Sequence, residues 1–368
     1  MRVAIVMNQK SPWARETAMQ LAGLGAEVHV IDFETPGSQP EYLAGQGEKQ
    51  AGAIATFQSR VAATHLMKSA FSSGLRYVTC APKLRQICDR ILPDFLITLY
   101  GGGSGLMAWA SGFRPYVIYV VGSDVLLARN GRKLVSHIVI RNADFVFANG
   151  KYLAERTRNL APGAKVIPLY LGVDVERFKP AVREPSPITR LVSTRGFLSV
   201  YNNEAIVRAL ALMPDTCGPI GMTFVSSGPL LSSVRELADR SLPQPVRRGT
   251  VFLDGANGNQ LLKIVQQSDI YISMSRSDGT SISLLEAFAC GAFPVVSDIP
   301  ANREWIDPSV QNGILVPLDD DQALADALTR AVSDVRLREK AAVHNRTLVV
   351  ERADNRRTMP RMLKFLTP

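Results

Sequence analysis

The chain is predicted to be an α/β protein built from two doubly wound, Rossmann-like domains facing across a cleft. Three observations predict this. Short apolar strands alternate with helical stretches, the rhythm of a parallel sheet wrapped by helices. The rhythm runs twice, on either side of a stretch rich in proline and charge. And 368 residues exceed what one hydrophobic core usually serves, so two domains of about 180 residues are expected.

In the first domain, residues 1–180, Arg2–Met7 reads as a buried strand, Arg15–Leu24 as a helix following a loop with Pro12, and Glu27–Ile31 as the second strand. Helices are expected over Arg60–Phe71 and Pro82–Ile91, then strands at Phe95–Leu99, Tyr116–Val121 and Phe145–Phe147. Residues 181–188, AVREPSPI, have the composition of a linker. The second domain, residues 181–345, offers strands at Thr189–Ser193, Met222–Ser226, Val251–Leu253, Ile270–Ser273, Phe293–Ser297 and Gly313–Val316, with helices between most of them. The stretch Gln322–Leu366 is helical in pattern and basic at its end, and residues 346–368 are expected to pack back on the first domain. In sheets of this kind ligands bind beyond the carboxyl ends of the strands.

Composition narrows the function. With 46% hydrophobic and 20% charged residues the chain is a folded globular protein, and no apolar run reaches the ~18 residues of a membrane span. Met1–Met7 is too short for a signal peptide, so a cytoplasmic location is expected. Cys80, Cys88, Cys217 and Cys290 lack metal-ligand or framework spacing, as do His29, His65, His137 and His344, so neither zinc nor disulfides are indicated. Positive charge is concentrated early: residues 1–180 carry 21 Lys+Arg against 13 Asp+Glu, residues 181–368 carry 21 against 20. A basic half suits a phosphate-bearing acceptor or an anionic membrane surface, and Lys68, Arg76, Lys83, Arg85 and Arg90 form either a docking patch or a solvated face. The basic residues are scattered without interleaved aromatics, which argues against nucleic acid.

The most informative segment is Ser275–Asp298, SRSDGTSISLLEAFACGAFPVVSD. Gly279, Thr280 and Ser281 form a polar loop between the carboxylates Asp278 and Glu286, Leu284–Cys290 reads as a helix, and Gly291 stands where a left-handed C-cap belongs. A loop that delivers backbone N–H groups to a helix N-terminus suits a diphosphate, and a carboxylate inside the helix suits a ribose diol. The alternative is that Ser283-x-x-Glu286 is a capping box and Glu286 serves the amide of Ser283.

Several blocks in order resemble the retaining glycosyltransferases of family four, which have the GT-B fold. Asp278-x7-Glu286 with the following AFACGAFPVV stands where that family has Glu-x7-Glu; PLYLGVDVERFKP (168–180) resembles its hinge block, and Ser226–Pro229 its glycine-proline loop. Gly101–Gly105 with Gly122-Ser123-Asp124 resembles an amino-terminal block of bacterial polysaccharide members. The resemblance implies that Glu286 binds ribose hydroxyls and that Asp278 faces the donor sugar near the reacting carbon. Gly279, Thr280, Ser281 and the amides of Leu284 and Leu285 would hold sugar and diphosphate, and Gly228 would sit in the donor loop. Arg195 would neutralise the leaving nucleoside diphosphate. Gly101, Gly102 and Gly103 would approach the acceptor side, or else form only a flexible turn. The co-substrate would be a UDP-sugar, with a GDP-sugar second, and no metal or other cofactor is expected.

The chain departs from the pattern in three places. The first acidic residue is Asp rather than Glu; the family's lysine after the arginine is replaced by Val200, Tyr201 and Asn202, of which Tyr201 or Asn202 could hydrogen-bond instead; and Val121 stands where a histidine often precedes the turn, leaving Asp124 as the candidate polar group or as a plain turn residue. The expected function is transfer of a sugar from a nucleotide-sugar to a glycan, lipid-linked or small-molecule acceptor in bacterial polysaccharide or glycoconjugate synthesis, with the enzyme peripheral at a membrane. A nucleotide-sugar 2-epimerase and a non-catalytic sugar-nucleotide-binding subunit are the alternatives on the same fold.

Overall fold

The computed structural model describes residues 1–8, 11–34, 55–68, 74–183 and 186–366. The chain forms two compact units, divided at 171/172 and again at 355/356, with the described residues after 355 belonging to the first unit.

Strands β1 (Arg2–Met7), β2 (Glu27–Glu34), β3 (Ala63–Lys68), β4 (Phe95–Leu99), β5 (Tyr116–Val120), β6 (Phe145–Ala148) and β7 (Val166–Pro168) build the sheet of the first unit in the order β3-β2-β1-β4-β5-β6-β7. Every pairing is parallel. Parallel strands need helical crossovers, which cover both faces and explain the continuous apolar runs. Val3 to Val6 and Tyr116 to Val120 are accordingly buried. The order reverses between β1 and β4, so the loops after these two strands diverge and leave a crevice between them.

The second unit repeats the plan with β8 (Thr189–Ser193), β9 (Ile220–Val225), β10 (Thr250–Leu253), β11 (Ile270–Ser273), β12 (Phe293–Ser297) and β13 (Ile314–Val316), ordered β10-β9-β8-β11-β12-β13 and again parallel. Here the reversal lies between β8 and β11. Leu191, Ile270, Ile272, Phe293 and Val295 of these strands enter one apolar core with Leu324, Leu328 and Val332 of the helix Asp321–Ser333. Three helices follow β13, Asp321–Ser333, Val335–Ala353 and Asn355–Leu366. Asp320 and Asp334 cap the first two, each accepting from a backbone amide of the first turn.

The first unit differs from the sequence reading in two places. The stretch expected as a helix over Arg60–Phe71 contains β3, and its last residues, 69–71, lie outside the described ones. Its Ala, Leu, Met and Lys favour a helix, but Ala63–Lys68 pairs in parallel with His29–Glu34 at the sheet edge, and that tertiary pairing overrides local preference. The second is β7, a short strand with no periodicity of its own, joined to β6 through Val146↔Val166.

Candidate functional site

The helix Ile282–Cys290 begins one half-turn earlier than its apolar run announces. Its N-cap is Ser281, whose Oγ accepts from Leu284 N at 3.4 Å, and Gly291 closes it in the left-handed conformation at φ 77°. This corrects the expected role of the amides of Leu284 and Leu285. The first is spent on the cap and the second donates to Ser281 O at 3.2 Å, so neither is open to a ligand. The helix positions without an intrahelical acceptor are Ile282 and Ser283.

The same shift removes the capping-box reading of Glu286. With Ser281 at the N-cap, the third helical position is Leu284, and Ser283 uses its hydroxyl on Arg195 instead. Among the described residues the Glu286 carboxylate has no hydrogen bond or ion pair, and Arg177 and Arg195 are the charges that act on it. Burial pushes its pKa up to about 7, more than those two arginines pull it down.

Arg195 lies in the loop after β8 and reaches across the point of reversal to the loop after β11. Its Nη1 donates to Ser281 Oγ at 2.9 Å and Ser283 Oγ at 3.1 Å, its Nη2 donates to Asp278 Oδ2 at 2.7 Å, and its Cζ lies 4.2 Å from the Tyr201 ring centroid. The Arg195 and Asp278 side chains are 10% and 18% exposed, so this ion pair is largely removed from water. Burial disfavours the charge on Arg195, and Asp278 together with Tyr201 and Tyr271 more than restores it; burial likewise raises Asp278, opposed by Arg195 and the amide of Gly279. Removing one member of such a pair strands the other, at a cost of about 3–5 kcal/mol.

The supporting residues are backbone clasps. Arg276 N donates to Val200 O at 2.8 Å, which ties the loop after β11 to the loop after β8. Asn203, 1% exposed, donates to Gly196 O at 3.0 Å and Arg195 O at 3.4 Å, fixing the arginine's own peptide. Gly228 has φ 150°, and a Cβ there would stand 2.6 Å from Phe197 O; only glycine lets the loop after β9 lie against residue 197, where Phe197 N donates to Ser227 O and Leu230 N to Phe197 O. Asn202, left-handed at φ 50° and 6% exposed, leaves Nδ2 without a partner among the described residues, as does Nε of Arg195. Orphaned buried donors beside an arginine mark a place where acceptor oxygens fit. Thr280 is buried in the same loop.

The remaining candidates lie in the first unit. Asp124 is buried, and its oxygens accept from Gly101 N at 2.7 Å, Gly122 N at 3.0 Å and Val121 N at 3.3 Å. It therefore ties the loop after β5 to the one after β4. Gly101 is tightly packed, with Val120 and Ile140 side-chain carbons at 3.2 and 3.3 Å from a Cβ, and Gly103 lies on the Tyr77 ring, whereas Gly102 is open. Among the described residues there is no group of His, Cys, Asp and Glu able to hold a metal ion, and no helix long and apolar enough to cross a membrane.

Sequence reasoning missed Ser283, Asn203 and Arg177. Asn203 was detectable as a polar residue opening a mostly apolar helical run, NEAIVRALAL. Ser283 shows only as a capping-box serine, and Arg177 carries no local signal.

Two parallel, doubly wound units with an arginine, two carboxylates and a helix N-terminus gathered at one strand-order reversal define the class as GT-B. The first part of the chain, residues 13–177, matches the family model Glycosyltransferase Family 4, and residues 196–334 match Glycosyl transferases group 1. The chain belongs to the family 4 glycosyltransferases. A GDP-mannose:cellobiosyl-diphosphopolyprenol alpha-mannosyltransferase from Xanthomonas campestris is 31% identical over 94 residues, 26% of this chain and 23% of that protein. Its counterpart from Xanthomonas oryzae pv. oryzae is 30% identical over 92 residues, so the matched segment spans about a quarter of these relatives. Among solved structures, sucrose-phosphate synthase from Thermosynechococcus elongatus superposes with a TM-score of 0.79 at 15% identity, covering 99% of this chain and 98% of that one. Anabaena HepE in complex with UDP gives 0.78 at 15% identity, covering 100% and 99%. These superpositions establish the fold.

Proposed function

We propose that the chain is a retaining glycosyltransferase that moves a sugar from a nucleoside-diphosphate donor to a glycan or lipid-linked acceptor. The observation that carries this reading is Arg195, held by Ser281, Ser283 and Asp278 beside a carboxylate, Glu286, that has no hydrogen bond of its own. Glu286 binds the ribose diol, and Arg195, with Asn202 in place of a lysine, takes the diphosphate. Ile282 and Ser283 add backbone N–H groups. The acceptor oxygen bonds to the anomeric carbon on the face that the diphosphate leaves, the bond from that carbon to the phosphate oxygen breaks, and the acceptor proton passes to a phosphate oxygen. Arg195 stabilises the charge that develops there, and Asp278 orients the sugar hydroxyls. Such chemistry needs placement of charge and not a protein nucleophile, so metal independence is part of the proposal. Asp124 serves by holding Gly101 in place.

The donors named for similar proteins support a UDP- or GDP-sugar: HepE was solved with UDP-glucose, and the Xanthomonas relatives are named for GDP-mannose and a diphosphopolyprenol acceptor. The basic excess of residues 1–180 supports an acceptor at an anionic cytoplasmic membrane surface. The test is a metal-free thermal-shift screen of wild type and Glu286→Ala against UDP-, GDP-, ADP- and TDP-sugars. Stabilisation by one series that vanishes in the variant is expected, since ligand at about a hundred times Kd adds about 2.7 kcal/mol. No shift with any donor would overturn the reading.

A further inference from the structure

The proposed donor site leaves one fixed cation unused. Arg177 sits in a segment whose backbone is pinned from two sides. Asp174 Oδ1 accepts from the amides of Glu176 and Arg177, both at 3.0 Å, and Arg346 donates to Val175 O at 2.8 Å and Phe178 O at 2.7 Å. Beyond that anchor the guanidinium rests 5.5 Å from the Phe178 ring centroid and directly against Gly258, where a Cβ would lie 2.4 Å from Nη2. Among the described residues it makes no hydrogen bond and no ion pair within bonding distance. The carboxylate it acts on is Glu286, and of the two arginines that favour the charge on Glu286 it has the larger effect.

Arg346 Nη1 donates both to Phe178 O and, at 3.2 Å, to Ala289 O, which lays the Arg177 segment along the helix that carries Glu286, and the two arginines that act on that carboxylate have different surroundings. Arg195 is enclosed by hydroxyls and a carboxylate, the setting proposed for the diphosphate, while Arg177 is exposed with an open fork. A nucleotide whose ribose lies on Glu286 and whose diphosphate lies on Arg195 extends its base to the remaining side. We infer that Arg177 reads the edge of the nucleobase and selects bases with an oxygen at purine position 6 or pyrimidine position 4, as in guanine or uracil, over those with an amine there, as in adenine or cytosine. A guanidinium offers donors only, so an oxygen on the base edge accepts from it, and with N7 of a purine the contact is bidentate. An amine in the same place sets donor against donor and forfeits the contact. Gly258 contributes by its lack of a side chain, which lets the fork lie over the start of the helix Gly258–Gln267.

This inference rests on the donor reading above, and the test separates the two. Titration calorimetry of the full chain with matched nucleoside diphosphates, IDP against ADP and UDP against CDP, measures keto-over-amino preference with the phosphates held constant. Wild type should favour the keto member of the pair that it accepts by about tenfold or more. Arg177→Lys, which keeps the charge and loses the fork, should bring that preference close to one while affinity for the amino member stays within about twofold. Gly258→Ala, which displaces only the arginine's tip, should reduce the preference too. A preference that survives in Arg177→Lys overturns the inference, as does equal weakening of both members, which would assign Arg177 to the phosphates. Failure of all four nucleotides to bind wild type overturns the donor reading instead.

Discussion

Replacing Glu286 with glutamine should stabilise the ligand-free protein above neutral pH while weakening its hold on a nucleotide. The carboxyl is raised from the usual 4.5 to about 7 because burial disfavours its charge more than Arg177 and Arg195 favour it. The folded state therefore holds this proton more tightly than the unfolded chain. Its contribution to stability is full below about pH 4.5 and drains away as pH rises through about 7. At about 1.4 kcal/mol per pH unit the difference between 4.5 and about 7 amounts to about 3.5 kcal/mol, an upper figure because the residue is partly exposed. Glutamine keeps the shape without the charge. Urea unfolding at pH 4, 5, 6, 7 and 8 should show the two proteins equal at pH 4, the variant ahead by less than about 1 kcal/mol at pH 5 and by about 2–3 kcal/mol at pH 8. A saturating donor nucleotide should reverse the order at pH 8. Parallel pH profiles would refute the assignment of a buried, uncompensated carboxylate to this position.

Three further substitutions probe the surroundings. Asp278→Asn should lower kcat by at least tenfold while affinity for a sugar-free nucleoside diphosphate holds or rises, because the Arg195 fork is released to phosphate; calorimetry showing a loss of that affinity would make Asp278 a support for Arg195 and not a sugar contact. Asp124→Asn would turn an amide donor toward the N–H of Gly101 or of Gly122 and should cost about 1–3 kcal/mol in urea unfolding, an effect within 0.5 kcal/mol of zero counting against the clasp. Gly228→Ala forces a Cβ against Phe197 O at a φ that side chains rarely adopt, and a melting temperature within about 1 °C of wild type would disprove the close approach.

How much of this was legible in the sequence follows from where each signal resides. Thr189–Ser193, Ile270–Ser273 and Phe293–Ser297 coincide with β8, β11 and β12 because a central parallel strand, buried on both faces, is a bounded apolar run and needs no context to be seen. β3 was invisible because an edge strand draws its identity from the strand it pairs with. Asp278, Glu286 and Arg195 stand out through motif spacing, but the start of their helix does not: Ser281 and Ser283 are both plausible caps, and the choice is made by Arg195, which claims the Ser283 hydroxyl from 88 positions away. Arg177 and Asn203 belong to the site through tertiary placement alone, so no local pattern singles out the first.

The clasp between Arg195 and Asp278 joins residues 83 positions apart, and it can close only after β11 has docked beside β8. Such distant pairings form late, since a long loop must be closed before they reward the chain. A nucleotide therefore finds nothing to hold in a partly assembled second unit, and cannot act as a template for its early folding. It can only lock the finished sheet, so the first appearance of nucleotide affinity in a refolding experiment would mark the moment at which β8 and β11 come together.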